Sequence, residues 1–190
     1  MSKNIVDYLR AFRHINKKDA DKVFDACRQS SFKRGEWIFR AGMLGNKLYY
    51  IDKGILKITS SDEQGNDFTY FFMKENQFMG FLYSMYGNVP AQQGLQAATD
   101  VELSVIEKDT LFSLYEELPY LKELIDLIAH LSMSEMIHMK NNYIVGTASE
   151  KYKLFLKRQP EIALHAMQID IASYLSIAPQ SLSRIRKKIR

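Results

Sequence analysis

The chain has 190 residues, of which 46% are hydrophobic and 25% charged, the balance of an ordinary globular protein. This excludes a mostly disordered chain, a collagenous one and a disulfide scaffold. The single cysteine, Cys27, supplies no internal disulfide, no four-thiolate iron–sulfur site and no structural zinc cluster, and it suits a reducing compartment. The opening residues, MSKNIVDYLRAFRHINKKD, interleave charges and show no signal peptide. No stretch approaches the ~18 uninterrupted apolar residues of a membrane span. The expectation is a soluble, cytoplasmic protein with no membrane partner.

Formal net charge is +4, and it is unevenly placed. Residues 150–190 hold nine Lys or Arg against three acids, a net +6, whereas the preceding 149 residues carry −2. Such asymmetry is the footprint of a segment that meets a polyanion. A solvated basic helix end has the same balance, so charge alone leaves both readings open.

In chain order, residues 17–29 place Ala20, Val23, Phe24 and Cys27 at helical spacing and predict a short amphipathic helix. From Ser31 the texture changes to aromatic and β-branched runs punctuated by glycine: EWIFRAG, KLYYIDKG, ILKITSSDEQG, DFTYFFMKENQFMG and VELSVIEKD. Asp62-Glu63-Gln64-Gly65-Asn66 reads as a hairpin loop. Five or more short strands predict a β-sandwich or barrel over about Ser31–Lys108. Residues 109–117 predict a short helix, and Pro119 starts the next at its first turn.

Residues 120–145 contain no Gly or Pro and predict one long helix, ended by Gly146. Leu121, Ile125, Ile128, Ser132, Glu135 and Met139 form one stripe along it. Leu124, Leu127, Leu131, Met136 and Tyr143 widen the apolar surface beyond a single face, so the helix buries two surfaces. One packs on the β domain. The other is a seam for a second copy of the chain, with a core helix inside a monomer as the alternative.

After a further helix over Ser149–Arg158, broken at Pro160, the chain closes with QIDIASYL, the link Ser176-Ile177-Ala178 and a helix begun by Pro179. Ile171, Ala172, Leu175, Leu182 and Ile185 point inward. Small Ala172 allows close approach, and the pattern fits a helix-turn-helix whose second helix enters the DNA major groove. Gln180, Ser181 and Arg184 share the groove-facing side, where Gln pairs with adenine and Arg with guanine. Ser183, Arg186, Lys187, Lys188 and Arg190 suit phosphates, which set affinity and position.

The string IASYLSIAPQSLSRIRKKI, with TASEKYKLFLKRQPEI upstream, resembles the DNA-binding end of the Crp/Fnr family of bacterial regulators. Its short C-terminus resembles the Bacteroidetes-type members. KRGEWIFRAG, KLYYIDKGILKI and QGNDFTYFF resemble the family's cyclic-nucleotide-binding β-roll. The resemblance implies an α+β fold: an N-terminal double-stranded β-helix, a long dimerisation helix and a C-terminal helix-turn-helix. It carries base contacts to Pro179, Gln180 and Arg184, although Pro179 has no donor. Ser176 stands where the family's turn usually has glycine. Ala178 replaces a common Ser or Thr cap, a loss on the order of 1 kcal/mol.

The sensor region departs further. Gly80 is present, but Phe81 replaces the acid that holds ribose in the family's nucleotide binders. Ala91, Gln92 and Gln93 occupy the Arg-Ser neighbourhood that binds the cyclic phosphate, and no Lys or Arg lies between Lys74 and Lys108. Met136 and Ile137 replace the adenine-contacting hydroxyls. A desolvated phosphate there would lack a counter-charge at a cost of several kcal/mol, which argues against cyclic AMP. Phe78, Gly80, Phe81, Leu82, Tyr83, Gln92 and Gln93, with Met85 and Tyr86 nearby, outline an apolar effector pocket, unless they merely close a vestigial site.

The four histidines, His14, His130, His138 and His165, lie outside the β region, so no cupin-type metal site is formed. No nucleophile elbow, P-loop or HExxH motif occurs, and haem on His130 or His138 has little support. The expected division is 1–110 (N-terminal helix and sensor), 111–146 (linker and dimerisation helix) and 147–190 (DNA-binding domain). The expected partners are double-stranded promoter DNA, a second copy of the chain, RNA polymerase as a candidate, and an unknown small-molecule effector or none. No enzyme activity, metal or cofactor is expected. The rival reading is a cyclic-nucleotide or other small-ligand module in signalling without DNA contact.

Overall fold

The computed structural model describes residues 5–189. Two helices, α1 (Ile5–Arg10) and α2 (Lys17–Asp25), precede eight strands: β1 (Arg28–Phe32), β2 (Trp37–Phe39), β3 (Lys47–Lys53), β4 (Ile55–Ser61), β5 (Asp67–Lys74), β6 (Phe78–Met79), β7 (Gly94–Ala97) and β8 (Val101–Glu107). Helix α3 (Leu82–Gly87) interrupts them after β6. Six helices follow: α4 (Lys108–Glu117), α5 (Pro119–Asn141), α6 (Ala148–Arg158), α7 (Pro160–His165), α8 (Gln168–Tyr174) and α9 (Pro179–Ile189).

The strands form two antiparallel sheets, ordered β1-β8-β3-β6 and β2-β7-β4-β5. Strand alternation decides what each face meets. Tyr49, Ile51, Leu103 and Val105 from the first sheet share an apolar core with Leu56, Ile58, Phe71 and Leu95 from the second. Their neighbours Leu48, Tyr50 and Ile106 turn the other way, into a second core closed by α1, α2, α4 and α5. The first sheet is therefore buried on both faces, which is why β3 reads as the near-continuous run KLYYIDK.

The predicted loop at 62–66 is the β4–β5 hairpin. Asp62 accepts from the backbone N–H of Gln64 and Asn66 at 3.0 and 2.8 Å, and these bonds lower its carboxyl pKa. In the same hairpin, register shifts past Ile58 and leaves Tyr70 as the extra residue of a bulge. The shift puts Thr69 on the outer face with Lys57 and Phe72.

Two boundaries and one side-chain placement differ from the sequence expectation. The helix expected over 17–29 ends at Asp25, because Arg28 and Gln29 pair with Val105 and Ser104 in β1. Phe24, expected inward, is exposed. The long helix ends at Asn141 rather than running to 145; Tyr143 then folds back against Phe155 and Tyr174. Aromatic packing outweighs the propensity of that segment to continue as helix.

The β3–β4 turn depends on Gly54. Its φ is +92°, and a Cβ there would lie 2.3 Å from the carbonyl oxygen of Asp100. Gly54→Ala should cost about 2–4 kcal/mol in urea unfolding, from a clash added to left-handed backbone strain. A loss below about 0.5 kcal/mol would contradict this packing.

Candidate nucleic-acid interface and sensor cavity

Helix α8 closes in a Schellman turn. The N–H of Ser176 donates to Ser173 O and that of Ile177 to Ala172 O, both at 3.0 Å. Ser176 sits at φ +53°, the left-handed conformation that glycine adopts without cost. The turn thus keeps its shape with a less suited residue, and bears strain on the order of 1 kcal/mol.

Past the turn, Leu182 is fully buried against the core that also holds Ile171, Ala172 and Leu175. Ile185 packs beside it, one turn on. Burial of this edge fixes the rotation of α9. Gln180, Arg184 and Lys187 then lie on the opposite edge, spaced four and three apart, and all three are exposed. Lys188 is exposed on the flank, whereas Ser181, Ser183 and Arg186 are half-buried. Among the described residues no ion pair engages Arg184, Arg186, Lys187 or Lys188. Arg190 lies outside the described residues.

Helix α8 is anchored to the outer face of the second sheet. Lys57 of β4 pairs with Asp170 at 2.5 Å, their side chains only 11% and 9% exposed. Thr69 donates its hydroxyl to the same carboxylate oxygen at 3.4 Å and its N–H to Ser173 Oγ at 2.8 Å. The other carboxylate oxygen, Asp170 Oδ2, is buried without a hydrogen-bond partner. Lys140 of α5 donates to Tyr174 O at 3.0 Å and lies over the Tyr174 ring. Burial first, then the charge of Lys151, lowers its pKa below the ordinary lysine value.

The sequence reading missed this ion pair. Its trace is a lysine inside an apolar strand and an aspartate beside Ile171 on an inward helix face, 113 residues apart.

A cavity of about 340 Å³ lies between the β-roll and α5. It gathers six of the seven residues outlined from sequence: Phe78, Gly80, Phe81, Leu82, Tyr83 and Gln93. Gln92 is exposed and does not line it; its N–H donates to Tyr83 Oη at 2.7 Å. Met85 is buried in the core beneath α3, and Tyr86 stacks on Phe112. The facing wall is Ile125, Ala129, Ser132, Met133 and Met136 of α5; Ile137 is exposed elsewhere on the helix. No charged side chain is found among the lining residues.

The stripe expected at a dimer seam needs correction. Leu121, Ile125 and Ile128 are buried in the chain's own core, Ser132 lines the cavity, and Glu135 and Met139 border a smaller crevice against α7. The exposed apolar edge of α5 is instead Leu127, Leu131 and Ile137, with Met133 beside them. The β-roll takes the most apolar side of the helix, so the free side lies further round.

Burial, and secondarily Asp52, pushes the Cys27 thiol up to about 12, so little thiolate exists at neutral pH. Among the described residues no cluster of three or more His, Cys, Asp or Glu could hold a metal, and no helix is long and apolar enough to cross a membrane.

Residues 29–117 match the cyclic nucleotide-binding domain family. The cAMP-dependent protein kinase type II regulatory subunit of Drosophila melanogaster is 27% identical over 99 residues, 52% of this chain but only 25% of that protein. Among solved structures, the c-di-GMP responsive global regulator CLP of Xanthomonas campestris superposes with a TM-score of 0.71 at 14% identity, over 92% of this chain and 91% of that one. A transcriptional regulator of the Crp/Fnr family from Eubacterium rectale gives 0.74 at 13% identity, over 96% and 87%. The match and the two antiparallel sheets make residues 29–117 similar to a cyclic nucleotide-binding domain. The fold, from the two sheets through the long helix to the paired C-terminal helices, is similar to that of these solved regulators.

Two measurements test this geometry. Asp170→Ala should cost about 3–5 kcal/mol in urea unfolding by stranding Lys57, whereas Lys57→Met with Asp170→Leu should restore most of the loss. Equal losses in single and double variants would contradict the pairing. Ser176→Gly should gain about 0.5–1 kcal/mol by relieving the left-handed serine; a loss would mean that the turn is not strained.

Proposed function

We propose that this chain is a homodimeric, sequence-specific DNA-binding regulator of transcription. Residues 1–110 would form the sensor, 111–146 the linker and dimer helix, and 147–190 the DNA-binding unit. One observation carries the reading: the burial of Leu182 leaves Gln180, Arg184 and Lys187 together on the open edge of α9, beyond a tight turn from its bracing helix.

In this reading the leading turn of α9 enters the major groove. Gln180 offers its amide to adenine, Arg184 its guanidinium to the O6 and N7 of guanine, and Ser181 an adaptable hydroxyl. Lys187, Lys188, Arg186, Ser183 and Arg190 hold phosphates. Pairing along Leu127, Leu131 and Ile137 sets two recognition helices about one DNA turn apart, ~34 Å, on a near-palindromic site. An effector biases the angle between the paired long helices, and RNA polymerase reads the result. The β-roll is not a cyclic AMP receptor here, because its cavity offers a phosphate no counter-charge.

The rival, a ligand-binding signalling module without DNA contact, predicts no preference among duplexes. Selection from a random duplex pool, followed by anisotropy titrations, separates the two. Arg184→Ala should cost ~1–3 kcal/mol at one base position and relax preference there. Lys187→Ala should weaken all duplexes alike and reduce the salt slope by about one. Uniform weakening by Arg184→Ala would reassign it to a phosphate. A pool that never enriches would end the regulator reading.

A further inference from the structure

We infer that the cavity between the β-roll and α5 binds an uncharged, mostly apolar small molecule carrying one hydrogen-bond acceptor. The inference deepens the sensor half of the regulator reading and rests on it for its consequence, though not for the binding itself.

Size comes first. The cavity, about 340 Å³, lies at the small end of the ~300–1,000 Å³ of typical ligand sites. Its lining selects by charge. Apart from Gly80, Gln93 and Ser132, the residues present are aliphatic, aromatic and sulfur-bearing, including Met73, Met79, Met133 and Met136. Thioethers on flexible stems adapt to irregular apolar shapes and make favourable contacts with aromatic rings. An anion or cation brought here would lose its water and find no opposite charge, whereas a neutral molecule avoids that cost.

The polar groups at the wall supply orientation. Tyr83 Oη accepts from the Gln92 N–H and donates to Gln93 Oε1 at 3.2 Å, so both the ring and the amide are held in place. This leaves the Gln93 NH₂ with no partner among the described residues. At the solvent-facing rim of an apolar cavity, this donor suits a carbonyl, ether or hydroxyl oxygen on the occupant.

The same cavity explains how occupancy could reach the rest of the molecule. Ile125, Ala129, Ser132, Met133 and Met136 form one side of α5, and Leu127, Leu131 and Ile137 form its open edge. An occupant therefore presses on the helix that carries the proposed dimer contact. Filling the space shifts α5 against the β-roll, and a long helix transmits a shift at its middle to both ends.

The test uses the full chain and two fluorescent naphthylamines: neutral 6-propionyl-2-(dimethylamino)naphthalene, whose carbonyl supplies the acceptor, and the anionic 8-anilinonaphthalene-1-sulfonate. The neutral probe should bind saturably at one site per chain, at least tenfold tighter than the sulfonate, and an excess of cyclic AMP should not displace it. Ala129→Trp and Ser132→Phe fill the cavity from α5, and each should weaken the neutral probe at least tenfold. Thermal melts identify which variants fold, and a folded one is decisive. No saturable binding of the neutral probe, equal binding of the sulfonate, displacement by cyclic AMP, or undiminished binding in a folded variant would overturn the inference. DNA selection run on the same preparation keeps the two readings apart. A chain that selects DNA but ignores the neutral probe contradicts the cavity alone, and one that binds the probe but selects no DNA contradicts the regulator alone.

Discussion

The burial of Leu182 in the core that also holds Ala172 and Leu175 is the constraint on which the C-terminal half depends. A helix has no preferred rotation until one edge is buried. Once Leu182 is buried and Ile185 packs partly buried beside it, the positions of Gln180, Arg184 and Lys187 follow from the helical repeat alone. The Schellman turn at Ser176 sets the angle at which α9 leaves α8, and the Lys57–Asp170 pair ties α8 to the β-roll. Packing, turn and ion pair thus hold one short helix by its back and leave its front open.

Seen from the sensor side, the ion pair joins what the sequence keeps separate. Lys57 belongs to β4, a central strand of the sheet that also contributes Ile58 to the cavity wall, while Asp170 belongs to α8. A single strand therefore touches both the cavity and α8, and α5 does the same through Ser132 and Lys140. Such sharing leaves little freedom for one half to move without the other. It also explains why an unpaired carboxylate oxygen is tolerated at Asp170: the bond specifies where α8 docks, a role distinct from adding stability.

Much of this was legible in the residues. The hairpin loop at 62–66, the change of period at Asp109, the start of α5 at Pro119 and the α8–turn–α9 pattern follow from local rules of glycine, proline and spacing, and the structure has all four, with α4 starting one residue earlier at Lys108. Six of seven expected cavity residues converge because they flank one strand end and one short helix, so proximity in sequence becomes proximity in space. The failures share a different cause. Which side of α5 faces the β-roll depends on the shape of a sheet assembled from strands far away, and an apolar stripe read alone does not distinguish inward from outward. The Lys57–Asp170 pair and the fold-back of Tyr143 are likewise long-range, and neither residue type signals its partner.

If the open edge of α9 reads bases, chemical deletion of single base atoms exposes the contact. In a duplex enriched by the protein, each guanine is replaced in turn by 7-deazaguanine, which lacks the N7 acceptor that an arginine uses. One guanine per half-site is expected whose replacement weakens the native chain tenfold or more and leaves the Arg184→Ala chain unaffected. If every replacement acted equally on both chains, the contact would lie elsewhere and the account would be wrong.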